Sequence, residues 1–258
     1  MKKYTCISLL LCILLLSCTG NKKVASTATK TVSTRADSLM LFDQARNRSV
    51  PVALYLPKAP KHCVQQLIIF SHGYYANKAG GNKECSYLTS YLASQGYFVA
   101  SIQHELPTDD LIPRDGIIQI VRRPFWERGV QNILFVLNEL KKTYPRLDYK
   151  HLILMGHSNG GDMSMLFGQQ YPALVDKIIS LDNRRVAFPR TKQPKIYSLR
   201  SSDQPADEGV LPTAAEQITY GMKIIPLKNT AHNNMDNSGN EEQKKEINQY
   251  VLGFLMEK

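Results

Sequence analysis

The sharpest chemical signal in the chain is Gly156-His157-Ser158-Asn159-Gly160, set directly after the apolar run Leu152-Ile153-Leu154-Met155 and directly before an amphipathic stretch. A Gly-x-Ser-x-Gly sequence between a strand and a helix puts the serine on a sharp turn with its hydroxyl exposed. Glycines are needed on both sides because side chains there would strike the neighbouring helix and strand. A helix beginning at Asn159 also directs free backbone amides and its positive dipole end at the same spot. These are the needs of a serine nucleophile in acyl transfer, where the hydroxyl must be activated and an oxyanion must be held.

A serine hydroxyl needs a base, and the chain has six histidines. His62 and His151 stand before apolar runs, at the wrong edge of a sheet, and His157 lies inside the turn with its side chain expected to face away from the serine. His72, His104 and His232 follow the carboxyl ends of apolar runs, where ligands of open α/β sheets bind. Of these, His232 follows the last strand, in Lys228-Asn229-Thr230-Ala231-His232, and is the expected base. The acid that orients its imidazole should follow a strand between Ser158 and His232. Asp203, after Ile196-Tyr197-Ser198-Leu199 and a short polar turn, is the expected acid; Asp182, in Ser180-Leu181-Asp182-Asn183, and Asp207 are the alternatives. Whichever two are unused are expected to cap or turn the chain. The oxyanion donors are expected to be the backbone amides of Asn159 and of Tyr74, the latter in His72-Gly73-Tyr74 after Ile69-Phe70-Ser71, where a glycine permits close approach. No cysteine or histidine spacing fits a metal, so neither a metal nor a cofactor is expected.

Positioning these groups requires a sheet. Short apolar runs rich in Ile, Leu and Val alternate with longer amphipathic ones, the pattern of an α/β fold. Leu39–Asp43 and Val50–Leu56 flank the turn-like Arg46-Asn47-Arg48 and read as a hairpin. Leu67–Ser71, Phe98–Gln103, His151–Met155, Lys177–Leu181, Lys195–Arg200 and Met222–Leu227 follow as buried strands. Helices are expected over Lys83–Ser94, Trp126–Thr143, Gly160–Gln170 and Glu241–Met256. The result is an eight-stranded, mostly parallel sheet with helices on both faces. Leu106–Phe125 is long enough either to wall a pocket or to be a plain surface connection.

With 258 residues, 43% apolar and 21% charged, the chain has the balance of a single globular domain. Residues 1–17 read as an export signal, with Lys2 and Lys3 before an apolar stretch, Ile7–Leu16, that is too short for the roughly 20 residues of a membrane span. Leu15-Leu16-Ser17-Cys18 resembles a bacterial lipobox, which implies cleavage before Cys18 and its acylation; an ordinary secretory signal is the alternative. A cell-envelope protein held to the membrane by a lipid anchor is therefore expected. Residues 18–36, rich in Ser, Thr, Ala and Lys, have the composition of a flexible tether, leaving 37–258 as the domain. Cys63 and Cys85 are expected as partly buried thiols, with a disulfide as the alternative. The net charge of +10 is dispersed over the sequence with no long basic run, which argues against nucleic acid and favours acidic substrates or anionic headgroups.

Asp43, Arg46-Asn47-Arg48-Ser49-Val50-Pro51-Val52, Tyr55-Leu56-Pro57, Phe70-Ser71-His72-Gly73, Leu92-Ala93-Ser94-Gln95-Gly96-Tyr97, the serine turn and His232 together resemble one branch of the α/β-hydrolases. It contains the dienelactone hydrolases, platelet-activating-factor acetylhydrolases and cutinase-like polyester hydrolases, and the likeness runs from about Asp43 to the C-terminus. It implies an α/β-hydrolase fold without a large cap, and Asn183–Gln193 is too short for the lid of many lipases. In the dienelactone and polyester hydrolases the acid lies about nine residues past a proline opening the seventh strand, as Asp203 does past Pro194. In the acetylhydrolases it ends the sixth strand, where this chain has Asp182. Dienelactone hydrolase itself uses cysteine, so that activity is not implied. The expected activity is cleavage of a small-molecule or lipid carboxylic ester through an acyl-enzyme; a serine peptidase of the same fold and a non-catalytic binding protein are the alternatives.

Overall fold

The computed structural model describes residues 33–57 and 64–257. The signal segment, Cys18 and Cys63 lie outside them, as does most of the expected tether; Cys85 is buried. Eight strands form one sheet: β1 (Thr34–Asp43), β2 (Arg48–Pro57), β3 (Gln66–Ser71), β4 (Phe98–Ile102), β5 (Asp148–His157), β6 (Lys177–Leu181), β7 (Lys195–Arg200) and β8 (Lys223–Pro226). Their order across the sheet is β1-β2-β4-β3-β5-β6-β7-β8. The first two junctions are antiparallel and the other five parallel. Every expected strand is present. One boundary is corrected: β1 begins at Thr34, inside the segment expected as tether, because Thr34, Arg35 and Ala36 continue the hairpin opposite Pro57, Leu56 and Tyr55.

The buried strands send alternate side chains to opposite faces, as the two-residue period of a strand dictates. Leu67 and Ile69 of β3 and Leu152 and Leu154 of β5 join one core; Ile68, Phe70, Ile153 and Met155 join the other. Helices α3 (Arg123–Thr143) and α4 (Asn159–Gln170) close the first face, whereas α1 (Ser86–Ser94) and α6 (Glu241–Met256) close the second. In α3, Val130, Ile133, Val136, Leu137 and Leu140 recur at helical spacing and are buried. Two helices were not expected, α2 (Ile118–Val121) and α5 (Ala214–Tyr220). Neither buries a side chain fully, so neither has the apolar periodicity that marks a helix in a sequence; α5 is set by its Thr213/Glu216 capping box and by Gly221 in the left-handed region.

Because β3 to β8 run parallel, the segments that follow them gather at one edge of the sheet. That edge is the usual place for a ligand in such folds.

Candidate active site

β5 runs through His157 and α4 starts at Asn159, so Ser158 alone makes the turn, with φ 51° and ψ −118°. A residue with a Cβ is strained there, and such strain persists only where the surroundings enforce it. They do: a Cβ on Gly156 would lie 2.3 Å from the Gly160 carbonyl carbon, and one on Gly160 2.1 Å from Ser71 O. The helix and strands press so closely on the turn that only glycine fits on either side.

His232, in a 3₁₀ turn after β8, brings Nε2 to 2.8 Å from Ser158 Oγ, and its Nδ1 lies 2.5 Å from Asp182 Oδ2. Asp182, not Asp203, is therefore the carboxylate on the imidazole, and the expected acid is corrected. The reason lies in the sheet: β6 adjoins β5, whereas β7 is one strand further out. Asp182 itself has φ 60°, a left-handed bend at the end of β6. Asp203 is exposed and accepts the backbone N–H of His232 at 2.8 Å through Oδ1. Asp207, the remaining alternative, bonds Arg185 and Gln119.

Asp182 is fully buried. Its Oδ2 also accepts from Ser201 Oγ at 2.7 Å; Oδ1 accepts from Ser201 N at 3.0 Å and pairs with Arg200 Nη2 at 2.8 Å. Burial alone would raise its pKa, but the His232 hydrogen bond, Arg200 and Ser201 together hold it below the ordinary value. An ionised Asp182 can only accept from Nδ1, which leaves the Nε2 lone pair facing the Ser158 hydroxyl.

His157 does not simply turn away. It is buried, its ring centroid lies 5.0 Å from that of His232, and its Nε2 donates to His232 O at 3.1 Å. Burial, then the neighbouring His232, lowers its pKa to about 4, so it is neutral and holds His232 by its main chain.

Gly73 adjoins the serine turn, since a Cβ there would lie 3.5 Å from Ser158 Cβ. Among the described residues the amides of Tyr74 and Asn159, the two expected oxyanion donors, donate to no other group. The Asn159 side chain is locked beneath them: Oδ1 accepts from Trp126 Nε1 at 2.9 Å, and Nδ2 donates to Glu105 Oε1 at 3.1 Å. Glu105 is buried, with Oε2 3.6 Å from His72 Nε2, so this carboxyl stands between the Asn159 side chain and the His72 ring. Burial is the main reason its pKa rises to about 7. His72 donates from Nδ1 to Gly73 O at 2.5 Å and accepts the His104 N–H at 3.0 Å; burial lowers its pKa to about 4. Sequence reasoning missed Arg200, Ser201, Trp126 and Glu105. The polar residues Gln103-His104-Glu105, closing the apolar β4, were the available signal for the last.

No profile of a known protein family matches the chain. An ethanol acetyltransferase 1 from Eremothecium cymbalariae is 26% identical over 152 residues, 57% of this chain, which spans only 36% of that enzyme. Among solved structures, a fungal esterase from Rhizomucor miehei is 11% identical and superposes with a TM-score of 0.64, over 87% of this chain and 83% of that one. The Pyrococcus horikoshii acylaminoacyl peptidase is 13% identical, with a TM-score of 0.60 over 87% of this chain and 41% of that one. With the strand order and the serine turn, these likenesses define the class: the chain has the α/β-hydrolase fold, with no large cap among the described residues.

Proposed function

We propose that the chain is a serine hydrolase that cleaves carboxylic esters through an acyl-enzyme on Ser158. The observation that supports this most is the unbroken line of hydrogen bonds from Ser158 Oγ through His232 to Asp182. In this reading Ser158 Oγ bonds to the acyl carbon as its proton passes to His232 Nε2, and Asp182 stabilises the imidazolium. The amides of Tyr74 and Asn159 hold the oxyanion. Collapse breaks the bond to the alkoxy oxygen, which leaves with the proton from His232. Water then repeats the sequence, releasing the acid and restoring the serine. Export and anchoring through Cys18 belong to the same reading and rest on the lipobox-like Leu15-Leu16-Ser17-Cys18.

The likeness to an acylaminoacyl peptidase favours one second reading, amide cleavage by the same three residues. Such an enzyme usually holds a substrate ammonium with carboxylates, whereas the segments beside Ser158 carry Arg122, Arg184 and Arg185.

The test is labelling with a fluorophosphonate, followed by turnover of p-nitrophenyl acetate and of aminoacyl anilides. Stoichiometric labelling at Ser158 is expected, with ester turnover far above anilide turnover. Ser158→Ala should lower kcat by on the order of 10⁶ while the fold is kept. Labelling at another residue, or faster cleavage of the anilide, would overturn the proposal.

A further inference from the structure

Three arginines in the segments around the serine turn are in no ion pair among the described residues. Arg122 precedes α3, Arg114 lies earlier in the same connection after β4, and Arg184 follows Asp182 by two residues. Among the described residues none of them forms an ion pair, whereas their neighbours Arg123, Arg185 and Arg200 all do. Three carboxylates of the surrounding segments are already engaged. Asp207 bonds Arg185 and Gln119; Asp182 holds His232 and Arg200. Asp162, fully enclosed in the first turn of α4, accepts the N–H groups of Arg185 and Val186, and burial above all raises its pKa to about 6.

The fold puts these arginines at the edge where the serine lies. Strands β4 and β5 are parallel to β3 between them, so α3 and α4, which follow them, both begin at that edge. Trp126, in the first turn of α3, reaches Asn159 beside the nucleophile, and Arg122 stands one turn before Trp126. On the other side, the bonds from Arg185 N and Val186 N to Asp162 tie the Arg184 segment to the first turn of α4. A bond of 2.7 Å from Gln119 to Asp207 draws α2 against the connection after β7.

Arg122 is half-buried and held in place: its Nε donates to Pro113 O at 2.8 Å, while Nη1 and Nη2 have no partner among the described residues. A guanidinium fixed at Nε with its fork free is suited to a two-oxygen anion. Burial first, and then Arg185, Arg184 and Arg114, make its protonated form less favourable than usual, and the carboxylate of Asp162 offsets them only in part. The helix dipole opposes a cation at the start of α3 as well, and the first turn has no acidic residue to offset it. Local choices that oppose stability without a structural gain are found where a ligand supplies the missing charge.

We propose that Arg122 and Arg184, with Arg114 at the rim, form a subsite for an anionic group, a carboxylate or a phosphate, carried by the ester that Ser158 cleaves. The proposal rests on the esterase reading and names its substrate class: small acidic esters.

The experiment uses soluble ester pairs that differ in charge. For the acyl half these are mono-p-nitrophenyl glutarate and its methyl ester. For the alcohol half they are 4-acetoxybenzoate and its methyl ester, with 4-acetoxyphenyl phosphate against phenyl acetate as the phosphate arm. In at least one pair the anion should have the higher kcat/KM, by about tenfold, with an advantage that shrinks as salt is raised. Arg122→Gln and Arg184→Gln, each checked for cooperative unfolding, should each lower that ratio several-fold. A neutral preference in every pair, or a ratio that neither variant moves, would overturn the subsite. Neutral-ester turnover that survives Ser158→Ala would instead overturn the esterase reading, so the two failures are distinguishable. Binding to anionic vesicles with no change of ratio would assign the arginines to a membrane surface and also sink the proposal.

Discussion

Replacing Asp182 by asparagine keeps the shape of the side chain and should nearly abolish turnover, for a reason that can be worked through atom by atom. Three donors converge on the carboxylate besides His232: Ser201 N, Ser201 Oγ and the Arg200 guanidinium. Ser201 N and Arg200 both donate to Oδ1, so an amide here places its oxygen at Oδ1; its NH₂ then replaces Oδ2, 2.5 Å from His232 Nδ1, and the Ser201 hydroxyl, which donated to Oδ2, rotates to accept from it. Nδ1 must then accept, so the ring proton moves to Nε2, and Nε2 can no longer take the proton of Ser158. Loss of the correct tautomer lowers kcat by about 10⁴ in the best-studied triad, or roughly 5 kcal/mol at 1.36 kcal/mol per tenfold. Asp203→Asn retains an oxygen to accept the His232 N–H in an exposed site, so less than about a tenfold loss is expected. The assay is kcat for p-nitrophenyl acetate with both variants, after each is shown to unfold cooperatively. If Asp203→Asn loses about 10³ or more and Asp182→Asn stays within tenfold of wild type, the assignment of the acid is wrong.

Two further outcomes are expected. Glu105, at about 7 in the fold against an ordinary 4.5, keeps its proton in the native state after the unfolded chain has lost it. Wild-type stability should therefore fall, relative to Glu105→Gln, as pH rises from about 4.5 to 7, and the difference should level off above that; Tm measured for both proteins across this range checks the sign, and a difference that grows with pH refutes it. For the anchor, the wild-type chain expressed in bacteria fed a labelled fatty acid should take up label and partition into detergent. Cys18→Ala should do neither, and a labelled Cys18→Ala protein would refute the lipobox reading.

The central strands were legible because each crosses the core and must be apolar on both faces; the runs beginning at Leu67, Leu152 and Lys177 needed only that signal. The serine turn was legible because glycine is obligatory beside it, and His232 because it alone follows the last strand. What escaped detection were groups whose work depends on proximity across the sheet. Glu105 lies 54 residues from Asn159 and meets it only because β4 and β5 both flank β3. Trp126 looked like an ordinary apolar helix residue until its indole N–H found Asn159. The start of β1 was misjudged because Thr34, Arg35 and Ala36 are ordered by pairing with β2, which composition does not record.

The two aspartates could not be told apart in the sequence because both attach to the same histidine. Asp203 accepts the His232 N–H, His157 donates to the His232 carbonyl, and Asp182 accepts from Nδ1, so the base is held at its amide, its carbonyl and its ring. Spacing from a strand end reports only that an aspartate can reach the histidine; it does not report which atom is met. Burial decides that. The acceptor that must remain ionised against a protonating imidazole needs fixed donors of its own, and Asp182 has Ser201 and Arg200 where Asp203 has solvent. With the main chain of His232 fixed from both sides, its ring needs little reorganisation when the proton moves, which is the condition under which an aligned base is most effective. The division of labour also accounts for the unequal losses expected on replacing them, since one aspartate sets the tautomer and the other only the position of the backbone that carries it.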